Sequence, residues 1–262
     1  MLSGVTVSTT ATAFGPAPVL VHPDVAEMAR AAAEQAATVL RAAVQAHGVA
    51  HAMFATGNSQ LAFIEALVTR TSDVPWRDVV VFHMDEYVGI GADHPASFQR
   101  WIRERIVAPA APRAAHYLEG LGDPAAVSAH YAELLAHHLL DLCCLGIGEN
   151  GHLAFNDPGV ADFHDPLDVK VVELEAACRR QQVNEGHFPD VASVPSHAIT
   201  VTIPALVRAA HVMAIVPEAR KAEPVHAALT GPVSTCCPAS MLRTLSHVTI
   251  HLDEESARLL PR

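Results

Sequence analysis

The chain has 262 residues and a formal net charge of −11, with 17 Lys and Arg against 28 Asp and Glu. That balance, with no basic run, excludes a nucleic-acid surface built on phosphate neutralisation, and no apolar run reaches the roughly 20 residues that span a bilayer. Half of the residues are hydrophobic but only 5% aromatic, so an aliphatic core under many helices is expected, in one domain over residues 1–262.

Residues 1–20 hold no Lys or Arg ahead of an apolar block, so no secretory leader is expected and the protein is read as cytoplasmic. Asp24 is placed to cap an Ala-rich helix over residues 25 to about 46, ending near Gly48. Residues 49–54 read as a strand, and the polar turn Ala55-Thr56-Gly57-Asn58-Ser59-Gln60 feeds a helix over 61–69. A strand, a small polar loop and a helix N-terminus can hold a phosphate on backbone N–H groups and the Thr56 and Ser59 hydroxyls; an ordinary capped helix has the same pattern. Residues 79–82 are a second β-branched run, delivering His83-Met84-Asp85-Glu86-Tyr87-Val88-Gly89. Paired acids at the end of a buried strand are costly unless solvated, paired or functional.

Helices are expected over 97–105 and 124–140, then a strand over 141–145. Residues 159–195, rich in Asp, Pro and His, read as an irregular active-site flap. Strands follow at 198–203, 212–216 and 248–252, with helices at 204–210, 219–229 and 254–260. Strands alternating with helices predict an α/β fold, a doubly wound, mostly parallel sheet with helices on both faces.

Strand 141–145 empties into Gly146-Ile147-Gly148-Glu149-Asn150-Gly151-His152-Leu153-Ala154-Phe155-Asn156-Asp157-Pro158. Open α/β sheets place ligands beyond the carboxyl ends of their strands. Gly146, Gly148 and Gly151 allow positive φ and close backbone approach. His152 supplies a side chain whose ordinary pKa lies near neutrality, and either Glu149 or Asp157 could orient its imidazole. Lys221, one of two lysines in the chain, opens a helix after a strand, where an ammonium suits a shared anion. The five cysteines, at 143, 144, 178, 236 and 237, show no C-x-x-C spacing, and the 17 histidines are scattered, so reduced thiols and no metal are expected.

From about residue 49 onward the chain resembles the glucosamine-6-phosphate deaminase (isomerase) group, which shares its fold with 6-phosphogluconolactonases. Met84-Asp85-Glu86-Tyr87-Val88-Gly89, followed by His94-Pro95-Ala96-Ser97, looks like the deaminases' M-D-E-Y-V-G and H-P-x-S pair. Residues 146–158 are similar to G-x-G-x-D-G-H-I-A-F-N-E-P. Lactonases carry G-H-T-A-S-L-F-P after the loop's glycines, so Ala154-Phe155-Asn156 favours the deaminase. The resemblance implies a Rossmann-like fold and an amino sugar phosphate that opens its ring, isomerises from aldose to ketose and releases ammonia, with no metal or organic cofactor. It implies Asp85 as the base moving the proton between C2 and C1, His152 as the ring-opening group, and Asp157 with Asn150 as its partners. Lys221 and Thr56-Gly57-Asn58-Ser59 would hold the phosphate, with Glu86, Gly148 and Gly151 also against the substrate.

Two departures stand out: Asn150 replaces the motif's Asp and Asp157 its Glu, so the imidazolium has one charge fewer beside it. The acidic stretch 160–168 stands where hexameric members use basic residues to bind an effector, so activation of that kind is not expected. The partners implied are a small phosphosugar, with no nucleic acid and no membrane; a homo-oligomer stays open. Arg179 and Arg180 are candidates for a second phosphate contact. The rival readings are a lactonase-like hydrolase, a phosphosugar sensor, which would need a DNA-binding helix that the chain does not offer, and a phosphosugar-binding paralogue with weak or no turnover.

Overall fold

The computed structural model describes residues 14–70, 73–184 and 186–261; most of the stretch 1–20 read for a leader lies outside them. β1 (Val19–His22) passes through Asp24 into α1 (Val25–His47), where the Asp24 carboxylate accepts the Glu27 N–H and Gly48, at φ +75°, closes the C-terminus. Alanines at 29, 32, 33, 36 and 37 line the buried face of α1, so the helix can lie close against the sheet. β2 (Ala50–Phe54) follows, then a 3-10 turn Asn58–Gln60 and α2 (Leu61–Val68). β3 (Val79–His83) and β4 (Asp85–Tyr87) are separated by Met84 alone. α3 (Phe98–Ile102) runs on through a π turn over Arg103–Val107 into α4 (Ala108–Ala110). Next come β5 (Ala114–His116), α5 (Pro124–His137), β6 (Leu142–Leu145), β7 (Val169–Glu173) and α6 (Ala176–Asn184). β8 (His197–Val201), α7 (Ile203–Val207), β9 (His211–Val216), α8 (Ala222–Thr230) and β10 (Val248–Asp253) complete the order.

Seven strands form a parallel sheet in the order β1-β10-β9-β6-β2-β3-β5. One face packs on α1, α2 and the 98–110 helix through Met28, Leu40, Phe63, Ile102 and Ile106. The other packs on α5, α7 and α8 through Tyr131, Leu135, Leu206, Val225 and Leu229. From β2 the chain winds one way to β3 and β5, then returns to β6 on the other side of β2 and winds to β9 and β10. The winding reverses between β2 and β6, which opens a crevice at their carboxyl ends. The expected doubly wound α/β architecture is therefore observed.

Several local expectations differ. The strand expected at 198–203 is β8, and it leaves the main sheet to form a small antiparallel one in the order β4-β8-β7. Segment 159–195 is not an irregular flap: it holds β7 and α6. Residues 254–260 turn rather than form a helix, because the Asp253 carboxylate accepts the Ser256 N–H at 2.8 Å and the Ser256 hydroxyl bonds back to Asp253. β1 and β5 are too short, at four and three residues, to show a period. No helix among the described residues is long and apolar enough to cross a membrane.

Candidate active site

β2, β3, β6 and β9 all deliver loops to one cleft at their carboxyl ends, a space of about 640 Å³ open to solvent. Loop 55–59 forms one wall. Ala55 N–H bonds the Cys144 carbonyl at 2.8 Å, and the Gln60 amide bonds the Ile215 carbonyl at 3.0 Å, so this loop is tied to β6 and β9. Gly57, at φ +97°, makes the turn that starts the 3-10 segment.

The β3–β4 junction brings Asp85 into the cleft. The small sheet fixes it there: Asp85 lies opposite Thr200 in the β4–β8 register, and Val201 N–H bonds the Met84 carbonyl at 2.8 Å. Asp85 is 7% exposed, and burial, reinforced by the negative charge of Glu86, pushes its carboxyl up to about 8. Glu86 does not face the cleft. Its carboxylate accepts N–H bonds from Tyr87, Phe98 and Gln99 and the Ser97 hydroxyl at 2.7 to 3.2 Å, capping α3. Strand alternation explains this, since neighbouring side chains leave on opposite faces. The expected substrate role for Glu86 is thus replaced by a structural one.

In the β6 loop, His152 Nδ1 lies 2.7 Å from Asn150 Oδ1 and 3.0 Å from Asp157 Oδ1. Asn150 also donates from its amide to Asp157 at 2.8 Å and accepts the His152 N–H at 3.1 Å. With two acceptors facing Nδ1, that nitrogen carries the proton and Nε2 is left as the acceptor. Burial raises Asp157, but hydrogen bonds and charge from His152, then the Asn150 bond, outweigh it and hold the carboxyl below its ordinary value. Asp157, not Glu149, is therefore the orienting acid; exposed Glu149 lies 3.9 Å from Arg220. Gly148 is required by close approach rather than positive φ: a Cβ there would come within 2.4 Å of the imidazole. Gly151 sits at φ +83°, and a Cβ on it would meet the Cys237 sulfur at 2.7 Å. Gly146 approaches the Gln60 amide instead.

Lys221 closes the cleft from the turn after β9 and is 3% exposed. The turn is strained: Glu218 sits at φ +81°, held by its N–H bonds to the Asp253 carboxylate at 3.1 and 3.2 Å. The structure thus brings Asp85, His152, Gly148, Lys221 and residues 56–59 together in one lining, with Asn150 and Asp157 behind the imidazole and Gly151, in the same loop, outside the lining. Arg179 is turned away, donating to the Val191 and Val194 carbonyls at 2.6 and 2.9 Å, and Arg180 is exposed outside the lining.

Sequence motifs did not reveal four contributors. Thr200 and Val201 of β8 hold both halves of the site, since Phe155 N–H bonds the Thr200 hydroxyl at 3.1 Å and the Asn156 amide bonds the Val201 carbonyl at 2.9 Å. Gln182 of α6 and His187 just after it line the cleft. Their signal was weak, a polar helix inside a Pro-rich stretch.

Known proteins share much of this sequence and its fold. A family model described as glucosamine-6-phosphate isomerases/6-phosphogluconolactonase matches residues 23–251. A glucosamine-6-phosphate deaminase of Exiguobacterium sibiricum is 34% identical over 207 residues, 79% of this chain and 79% of that one. The solved structure of a monomeric glucosamine-6-phosphate deaminase superposes with a TM-score of 0.82 at 28% identity, covering 92% of this chain and 99% of that one. The 6-phosphogluconolactonase of Trypanosoma brucei shares the fold, with a TM-score of 0.74 at 19% identity over 95% of this chain and all of that one.

Proposed function

The chain belongs to the glucosamine-6-phosphate isomerase/6-phosphogluconolactonase family, and from that premise we propose that it converts glucosamine 6-phosphate and water to fructose 6-phosphate and ammonia, as a single domain acting in the cytoplasm. The observation that carries this reading is one cleft that pairs a carboxyl held near neutrality, Asp85, with an imidazole oriented by Asp157 and Asn150 and a buried ammonium, Lys221.

The chemistry follows from these positions. Lys221 and the 56–59 loop take the phosphate, whose binding fixes the reacting carbons relative to Asp85. His152 takes the C1 hydroxyl proton on Nε2 and passes it to the ring oxygen as the ring opens, while Asp157 offsets the charge on the transient imidazolium. Asp85 takes the proton from C2 and returns it to C1. As C1 passes from aldehyde to alcohol its oxygen gains the proton that the C2 ammonium loses, the amine becomes an imine, and water hydrolyses it to the ketone and ammonia. A carboxyl near 8 in the free protein meets a C2 ammonium in the complex, which favours the ionised base where it is needed.

The test is release of ammonia and ketose phosphate from glucosamine 6-phosphate by the wild type, beside hydrolysis of 6-phosphogluconolactone. Ammonia with no lactone hydrolysis is expected; the converse replaces deamination by the lactonase chemistry.

A further inference from the structure

On the function proposed above, each reactive part of the substrate has a facing group. C1, C2 and the ring oxygen face Asp85 and His152, and the phosphate faces Lys221 with the 56–59 loop. The hydroxyls on C3 and C4 are left over. The rest of the lining is largely apolar, through Met84, Phe98, Ile147, Ala154 and Phe155, except for Gln182 and His187.

Gln182 is 7% exposed, and its carboxamide has no protein partner among the described residues. It lines the open cleft, where its amide can hydrogen-bond a bound molecule. Its helix is built to hold it there. Cys178 and Gln182 stand four residues apart, on one face of α6, and Cys178 packs at 2% exposure beside Asp157. The Arg179 guanidinium ties α6 to the Val191 and Val194 carbonyls. After Asn184 the chain reverses at Gly186, φ +81°, with Gly186 N–H bonded to the Val183 carbonyl and His187 N–H to the Gln182 carbonyl, both at 3.0 Å. Phe188 then anchors the turn, edge-on to Tyr87 at 5.4 Å and stacked on His94 at 5.7 Å. α6 is a docked wall of the cleft that presents one amide to it.

We propose that Gln182 binds the C3 and C4 hydroxyls of the bound amino sugar phosphate and sets the discrimination between C4 epimers. An amide can donate to one hydroxyl and accept from its neighbour. A site built to hydrogen-bond a hydroxyl discriminates strongly against analogues that lack or misplace it.

The experiment compares wild type, Gln182→Leu and Gln182→Asn with glucosamine 6-phosphate, its 4-deoxy analogue and galactosamine 6-phosphate. Binding of the reduced, non-reacting 2-amino-2-deoxyglucitol 6-phosphate and its 4-deoxy form is measured calorimetrically in parallel. The wild type is expected to prefer the 4-hydroxylated sugar by about 10- to 100-fold, and Gln182→Leu to bring that ratio close to one with an unchanged melting temperature. Gln182→Asn controls for folding, since it keeps the amide but shortens its reach. An unchanged ratio in Gln182→Leu, or equal loss on all three sugars, overturns the proposal and leaves deamination standing. A wild type that binds the reduced sugars with a Gln182-dependent ratio but releases no ammonia overturns the proposed deamination and leaves the Gln182 contact standing. Neither turnover nor binding overturns both.

Discussion

The β3–β4 junction and the β6 loop each bury a carboxyl group against the same cleft, and the two are driven in opposite directions. Asp157, fully buried, stays below its ordinary value because an imidazole and an amide donate to it. Asp85, slightly more exposed, rises to about 8 because burial is opposed by no donor among the described residues and Glu86 adds a like charge. Burial therefore does not set the role of an acid; its donors do. An acid with donors holds a charge and orients a neighbour, and an acid without them is left able to exchange protons near neutral pH.

The largest effect expected is that of Asp85→Asn, which removes the base and should lower turnover by about 10² to 10⁴, read as ammonia release at saturating substrate. The same change should stabilise the protein. Asp85 has a folded pKa above its unfolded one, so its protonated form contributes stability below about pH 4 that is lost as pH rises through about 8. Asp85→Asn should then raise the melting temperature at pH 8.5 and leave it nearly unchanged at pH 3.5. For the wild type, kcat/KM should rise with pH through about 8 as the free base ionises. A flat profile would mean that Asp85 is ionised throughout.

Next in size is Asp157→Asn, which leaves an oxygen near His152 but removes the charge that offsets imidazolium. Turnover should fall on the order of 10²-fold, and the melting temperature at pH 7 should fall too, because the depressed pKa of Asp157 marks stability present above its ordinary value. Unchanged turnover in Asp157→Asn would show that Asn150 Oδ1, at 2.7 Å, orients His152 without help from the charge.

Much of this division was legible in the chain. The run 79–82 before Met84-Asp85, the glycines around His152, and the polar turn 55–59 each mark a strand end with a chemical group, and the structure gathers them with Lys221 in one cleft. Glu86 was misread because adjacent acids look alike in a string, whereas the pleat sends one to the cleft and the other to the N-terminus of α3. α6 was missed because its exposed face is polar and its buried face is short, so no period emerges over nine residues. The double duty of β8 was also hidden, because the Thr200 hydroxyl and the Val201 carbonyl serve residues 45 positions away. Long-range pairing of that kind leaves no local signature.

Asn150→Asp tests the neutral position between the two groups. A carboxylate at 150 would stand where the amide now donates to Asp157 at 2.8 Å, so one of the two acids would keep a proton at neutral pH. Turnover at pH 7 should drop by up to about tenfold, with some loss of melting temperature. A tenfold gain would instead show that the neutral amide limits ring opening.

The smallest change sits where the two regions meet. The Cys178 thiol is driven up first by burial, then by the charges of Asp157 and Asp85, so it stays protonated and should resist thiol reagents in the folded protein. Cys178→Ser would replace this weak donor with a stronger one of nearly the same size. A hydroxyl donating to Asp157 should deepen the contrast with Asp85 and hold Asp157 ionised to lower pH. The expected change in turnover at pH 7 is within about threefold, small beside the 10² to 10⁴ of a proton-transfer group. It should show as an acid limb of the kcat profile displaced to lower pH. If the limb that moves is the one near 8, the hydroxyl donates to Asp85 instead. The two carboxyl groups would then share the face of α6, and the low value of Asp157 would rest on His152 and Asn150 alone.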